Sequence, residues 1–170
     1  ERFKTLLTKN ECSPQDLIQV PDRPTTRKLR VMAGHHHIVR VDYEKKSFVT
    51  KDLEKRLLEH IKGILPQTGA VIIEDYAKGL MSESVIQGVI ALAKAAGKIV
   101  CVDPHRTTPL DYYVGADYMT PNTDEAISLS GLKLDDLRNP SKNLEEVGQA
   151  LLEKIKGRGV IITRGPEGMS

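Results

Sequence analysis

Three stretches, "AVIIEDY" (70–76), "KIVCVD" (98–103) and "GVIIT" (159–163), are apolar on consecutive residues, and segments of helical period separate them. A strand with one wet face alternates. A continuous apolar run predicts a strand covered on both faces, as in a parallel sheet. Between the first two runs, Val85, Ile86, Val89, Ile90 and Ala93 recur at helical spacing, with Ser82 placed to cap and Gly97 to stop the helix. Leu53, Leu57, Leu58 and Ile61 predict a helix upstream. Leu144, Val147, Leu151, Leu152 and Ile155 predict one downstream, opened by Asn143 and Glu146 as a variant capping box. "DYMTPN" supplies a shorter strand. Strands and helices in this order predict a doubly wound parallel α/β sheet over residues 69–165.

The pattern before it differs. "RFKTLLTKN" predicts a short helix and "SPQDLIQVPDRP" a turn-rich connection. From residue 26 to 44, Leu29, Val31, Val39, Val41 and Tyr43 alternate with Lys28, Arg30, Arg40 and Asp42 around "AGHHH", which predicts a small β-hairpin. One face is apolar and the other charged, and a lone hairpin is marginal in water, so the ribbon must cover a ligand or a second subunit. On a strand, His35 and His37 would share a face; a transition metal there competes with an exposed turn, and no cysteine lies near to complete a zinc site.

A formal charge of +2 with 4% aromatic residues gives no footprint for a nucleic-acid partner. No apolar run is long enough for a membrane span. Cys12 and Cys101 form no CxxC pair, and Cys101 reads as a small buried hydrophobe, which points to a reducing, cytoplasmic setting. Glu stands at position 1, and "TRGPEG" after the last strand predicts a turn to a partner strand, so both ends read as cut.

In open parallel sheets, ligands gather beyond the carboxyl ends of the strands. There the sequence places Asp75 and Lys78, then Asp103, Pro104 and His105, then Asn122, Thr123, Asp124 and Glu125, then Thr163, Arg164 and Gly165. Carboxylates, an amide, hydroxyls, a lysine and a glycine on one edge suit phosphates held with a hard metal ion. Each has a plain structural reading as well. Asn122 and Glu125 have the spacing of a helix cap, and Gly165 that of a turn glycine.

"EDYAKGLMS", "DPHRTTPLDYYVGADYMTPNTDEA" and "VIITRGPEGMS", in this order and spacing, resemble the ribokinase-like (PfkB) carbohydrate kinases. "PTTRKLRVMAGHHHIVRVDYE" is similar to the lid segment of the heptose-7-phosphate kinases of that family. The resemblance covers the chain as the middle of one kinase domain. It implies phosphoryl transfer from ATP with Mg²⁺ to the anomeric hydroxyl of D-glycero-D-manno-heptose 7-phosphate, a precursor step of bacterial lipopolysaccharide.

By the same resemblance, Asn122, Thr123, Asp124, Glu125, Thr163, Arg164 and Gly165 are nucleotide-binding, with Glu125 holding the metal through water. Asp75, Lys78 and Asp103 belong to the phosphoryl-transfer site, and Arg30 and Arg40 to the sugar phosphate. His105 stands where the heptose kinases usually carry Lys, and a neutral imidazole cannot supply a permanent cation. The family's base, an aspartate, is expected beyond Ser170, so these 170 residues alone are expected to be inactive. A homodimer through the lid is implied. A fructose-phosphate or ribose kinase fits the strand ends nearly as well, and a non-catalytic binding or dimerisation module is the reading from another class.

Overall fold

The computed structural model describes residues 2–132 and 140–170. The chain divides into two compact units at Lys45.

The first unit holds helix α1 (Arg2–Lys9) and the ribbon of strands β1 (Arg27–Ala33) and β2 (His36–Tyr43). The strands are antiparallel, with Leu29 opposite Val41, Val31 opposite Val39 and Arg30 opposite Arg40. A bulge between Val31 and Met32 shifts the register next to the turn at Gly34, whose φ is +59°. His35 lies in that turn, outside both strands, so the expected sharing of a strand face with His37 does not occur. The apolar face, Leu29, Val31, Val39, Val41 and Tyr43, is exposed.

The second unit is the α/β body. Four strands, β3 (Ala70–Glu74), β4 (Ile99–Asp103), β5 (Tyr118–Met119) and β6 (Gly159–Val160), run parallel in that spatial order. Helices α2 (Lys51–Ile64), α3 (Glu83–Ala95), α4 (Thr123–Ser130) and α5 (Pro140–Ile155) accompany them. Val85, Ile86, Val89, Ile90 and Ala93 of α3 and Val147, Leu151 and Ile155 of α5 meet Ile73, Val100, Val102, Met119 and Ile162 in one core. Ser82 caps α3, its hydroxyl accepting from the Val85 N–H, and Gly97 takes a φ of +67° after the helix ends.

Two details differ from the expectation. The α5 helix begins at Pro140, three residues ahead of Asn143. Proline suits a first helical position, where the N–H it lacks would have no intrahelical partner. The sheet's second face, which continuous apolar runs predict to be covered, is open among the described residues. Ile72 is 75% exposed there, with Ile99 and Ile161 beside it. The runs are apolar on both faces, but among the described residues a helix layer lies against one face only.

Candidate active site

The body of the sheet brings the strand ends to one edge. Glu74 and Asp103 are paired in register, and the Asp75 N–H donates to the Asp103 carbonyl at 3.0 Å. The Thr120 hydroxyl donates to Asp103 Oδ1 at 3.3 Å. Beyond β5 and β6 the ladder continues as a parallel bridge between Asn122 and Thr163. Both the Thr123 N–H and its hydroxyl donate to the Thr163 carbonyl, at 3.2 and 3.3 Å. The two turns Asn122–Glu125 and Thr163–Gly165, forty residues apart in sequence, therefore stand side by side.

Asn122 and Glu125 close a full capping box on α4. The Glu125 N–H donates to Asn122 Oδ1 at 2.9 Å, and the Asn122 N–H donates to Glu125 Oε2 at 2.9 Å. The plain structural reading of this pair is thus real. Asp124 is exposed at the same helix start. Gly165 sits at φ +58°, and a Cβ there would meet nothing within 4 Å, so its backbone faces open space. Arg164 is held over the turn by its guanidinium, which donates to the Glu167 carbonyl at 3.1 Å, while its Nε is buried without a partner. The turn then folds back as the sequence predicts: Ile162 and Ser170 exchange both backbone hydrogen bonds, at 2.8 and 3.0 Å.

Electrostatics single out Asp103. Partial burial, then repulsion from Glu125 and from Glu74, raise its carboxyl above the ordinary value of 3.8, against the Thr120 hydrogen bond that lowers it. Glu125 and Glu74 both oppose the charge on Asp103 at the strand ends, a repulsion that a cation beside Asp103 would relieve. Lys78 is half-buried on the same edge, its ammonium 5.7 Å from the centre of the Tyr76 ring. The Tyr76 hydroxyl donates to Glu74 at 2.5 Å.

Arg30 and Arg40 belong to the other unit, as direct cross-strand neighbours. Arg40 pairs with Asp42 at 3.1 Å. Like charges placed directly opposite each other on a ribbon are unfavourable, and the Asp42 carboxylate offsets part of this at Arg40. His105 is occupied locally, its Nδ1 within 2.9 Å of the Thr107 hydroxyl. Among the described residues, no group of three or more His, Cys, Asp and Glu is placed to hold a metal by itself, the histidine run included.

The sequence alone does not mark Glu74, Thr108 or Tyr113: Glu74 has the place of an ordinary strand residue, and "TTPLDYY" has no period to place its hydroxyls.

The model of the pfkB family carbohydrate kinases matches residues 1–170. The chain belongs to that family. It is 33% identical over 154 residues to the bifunctional protein HldE of Paramagnetospirillum magneticum, covering 91% of this chain and 30% of that protein. To HldE of Nitrobacter hamburgensis it is 32% identical over 171 residues, covering 99% of this chain and 34% of the relative. The chain thus spans about a third of these relatives' length. Among solved structures it is similar to phosphofructokinase-2 from Escherichia coli in its tetrameric inhibited form, with a TM-score of 0.71 at 16% identity. That match covers 99% of this chain and 53% of the other. Ribokinase from Giardia lamblia matches with a TM-score of 0.72 at 12% identity, over 99% and 50%. These structures share the ribokinase-like fold, and the four-stranded parallel sheet flanked by helices is that fold here.

Proposed function

We propose that the protein carrying this chain is an ATP-dependent sugar-phosphate kinase, acting on the anomeric hydroxyl of D-glycero-D-manno-heptose 7-phosphate to give the 1,7-bisphosphate. The observation that carries the proposal is the meeting of the Asn122–Glu125 and Thr163–Gly165 turns beside Asp103. Identity of about a third to the HldE proteins over nearly the whole chain supports a sugar kinase. The choice of the heptose rests on the likeness of the 24–44 segment to the heptose kinases' lid.

In this reading Asn122, Thr123, Asp124 and Glu125, with Thr163, Arg164 and Gly165, take the nucleotide. Exposed backbone at Gly165 and the Arg164 guanidinium suit phosphate oxygens. Mg²⁺, arriving with ATP, supplies charge neutralisation on the phosphates, and Asp103 and Glu125 are the carboxylates that would face it, Glu125 through water. Asp75, Lys78 and Asp103 form the transfer edge, where Lys78 offers a cation to the moving phosphoryl group. The attacking hydroxyl oxygen forms its bond to the γ-phosphorus as the bond to the leaving ADP oxygen breaks. No residue of this chain is assigned as the base that takes the hydroxyl proton. Arg30 and Arg40 hold the sugar's own phosphate, which would answer their mutual repulsion.

The exposed apolar face of the ribbon, Leu29, Val31, Val39 and Val41, pairs with that of a second copy, giving a homodimer through the lid. An ATP-consuming enzyme of this kind works in the cytoplasm, and no described helix is long and apolar enough to cross a membrane.

The test is ADP release by the full-length protein, offered heptose 7-phosphate, fructose 6-phosphate and ribose side by side with MgATP. Strong preference for the heptose is expected. Preference for another sugar keeps the strand-end roles and overturns the substrate. ATP binding without release with any sugar would favour a non-catalytic module.

A further inference from the structure

Asp75 stands at the carboxyl end of β3, on the candidate site's edge, yet its surroundings are those of a buried structural group. It is 5% exposed. Its Oδ2 accepts from the Thr108 hydroxyl at 2.6 Å and from the Tyr113 hydroxyl at 2.8 Å, and its Oδ1 accepts from the Ala77 N–H at 2.7 Å. Tyr113 is itself fully buried, and its oxygen also accepts from the His105 N–H at 3.2 Å. One carboxylate and one phenol therefore tie the turn after β3 to the segment after β4.

The turn so held is not one the chain adopts freely. Ala77 has a φ of +49° and Gly79 a φ of +83°. On its far side the turn is pressed against the backbone of the 46–49 segment. A Cβ on Gly79 would lie 2.2 Å from the Ser47 carbonyl oxygen, and the Val49 N–H donates to the Gly79 carbonyl at 2.9 Å. Lys78 lies between Ala77 and Gly79, so its position follows from the turn's. Asp103 is linked as well, through its backbone bond from Asp75.

A buried carboxylate with three accepted hydrogen bonds is poorly placed to take a phosphate-bound cation and well placed to fix a turn. We propose that Asp75 is a positioning residue: acting through Tyr113 and Thr108, it locks the Tyr76–Gly79 turn against the His105–Tyr113 segment and so sets where Lys78 and Asp103 stand. This rests on reading the strand ends as the transfer site, and it removes Asp75 from direct contact with the substrate.

Two measurements on the full-length protein test it, using Asp75→Asn and Tyr113→Phe. The first is hydrogen exchange, which needs no turnover. Tyr113 does not touch the Ala77 N–H, so faster exchange at residues 76–79 in Tyr113→Phe, by about tenfold for one weakened hydrogen bond, with β4 unchanged, is the expected sign of the lock. Unchanged exchange there overturns it. The second is kinetics. Both variants are expected to lower kcat by similar factors, about 10–100-fold for a displaced group, at unchanged KM for MgATP and unchanged Mg²⁺ half-saturation.

A collapse of kcat in Asp75→Asn with a near-normal Tyr113→Phe, or a shifted Mg²⁺ dependence, would mean direct contact and overturn the proposal. Loosened exchange with normal kcat would reduce the lock to stability alone and overturn it too. If the unaltered protein turns over none of the sugars, the kinase reading fails separately and the exchange result decides the lock. Should Asp75→Asn not fold, Thr108→Val removes a single donor and carries the same comparisons.

Discussion

The ribbon and the α/β body use the same residue types to opposite ends. Val39 and Val41 of the ribbon are 45% and 38% exposed, while Val100 and Val102 of β4 have no exposed surface. Each pair stands two residues apart on its strand and so shares an apolar face of its sheet. In the body the chain supplies its own cover, the helices α3 and α5. In the ribbon the apolar side chains are exposed, and the ribbon's own two strands do not cover them. Alternation therefore tells which face of a strand is apolar, and leaves open what lies against it. The same holds within the body, where Ile72 and Ile161 are as apolar as Ile73 and Ile162 but face outward.

If the body carries the stability, the largest effects must fall there. Leu151 is fully buried in the common core, so Leu151→Ala should cost about 2–5 kcal/mol in a denaturation series on the full-length protein. Gly79→Ala comes next. It forces a side chain into a left-handed backbone conformation and against the Ser47 carbonyl. A loss of roughly 3 kcal/mol follows from the conformational strain and the overlap together. A near-neutral result at either position would mean that cooperativity does not reside in the body, and the comparison would break.

A sharper test lies at the start of two helices. Glu54 of α2 is buried and accepts from Ser82 at 2.6 Å, Ser84 at 2.7 Å and Lys51 at 2.8 Å, so it joins the first turns of α2 and α3. Burial pushes its carboxyl up, but the hydrogen bonds from Lys51, Ser82 and Ser84 outweigh that and bring it from 4.5 down to about 2. A lowered carboxylate stabilises the fold above its unfolded value and loses that contribution as the pH falls. The expected window runs from about 4.5 down to about 2. Glu54→Ala should cost about 1–3 kcal/mol at neutral pH and flatten the acid limb across that window. An unchanged acid limb would show that Glu54 does not govern it.

Legibility in the sequence follows the same division. β3, α3 and β4 were readable because period and caps act within a dozen residues, and Ser82 and Gly97 hold the places expected of them. The strand ends were readable as a set, since topology alone carries them to one edge. What could not be read was long-range and polar. The partners of Asp75 lie 33 and 38 residues away, in a stretch where no period places a hydroxyl. Glu54 looked like any charged residue of an amphipathic helix, because its serine partners are 28 and 30 residues on. The bulge beside Val31 left no mark in the alternation.

In the proposed kinase, Asp103 is the residue at which stability and function should part inside the body. Its carboxyl is raised, first by burial and then by Glu125 and Glu74, so ionisation is opposed in the fold. What it contributes is present below its ordinary value and lost as the pH climbs through the raised one. Asp103→Asn should therefore raise the denaturation midpoint slightly at neutral pH while lowering turnover. A fall in both would mean that the charge is already balanced without a ligand.

The smallest expected effect on stability is the most informative about the ribbon. Leu29 is half-exposed, opposite Val41. Leu29→Ser removes little buried surface from one copy, so the body's unfolding free energy should change by no more than about 0.5 kcal/mol. If two copies cover each other there, the same change puts a hydroxyl into an apolar contact. Sedimentation should then shift toward the single copy, and the denaturation midpoint of the unaltered protein should rise with its concentration. Loss of stability independent of concentration would instead place the cover for this face within the same polypeptide, and the contrast between a self-covered body and a partner-covered ribbon would disappear.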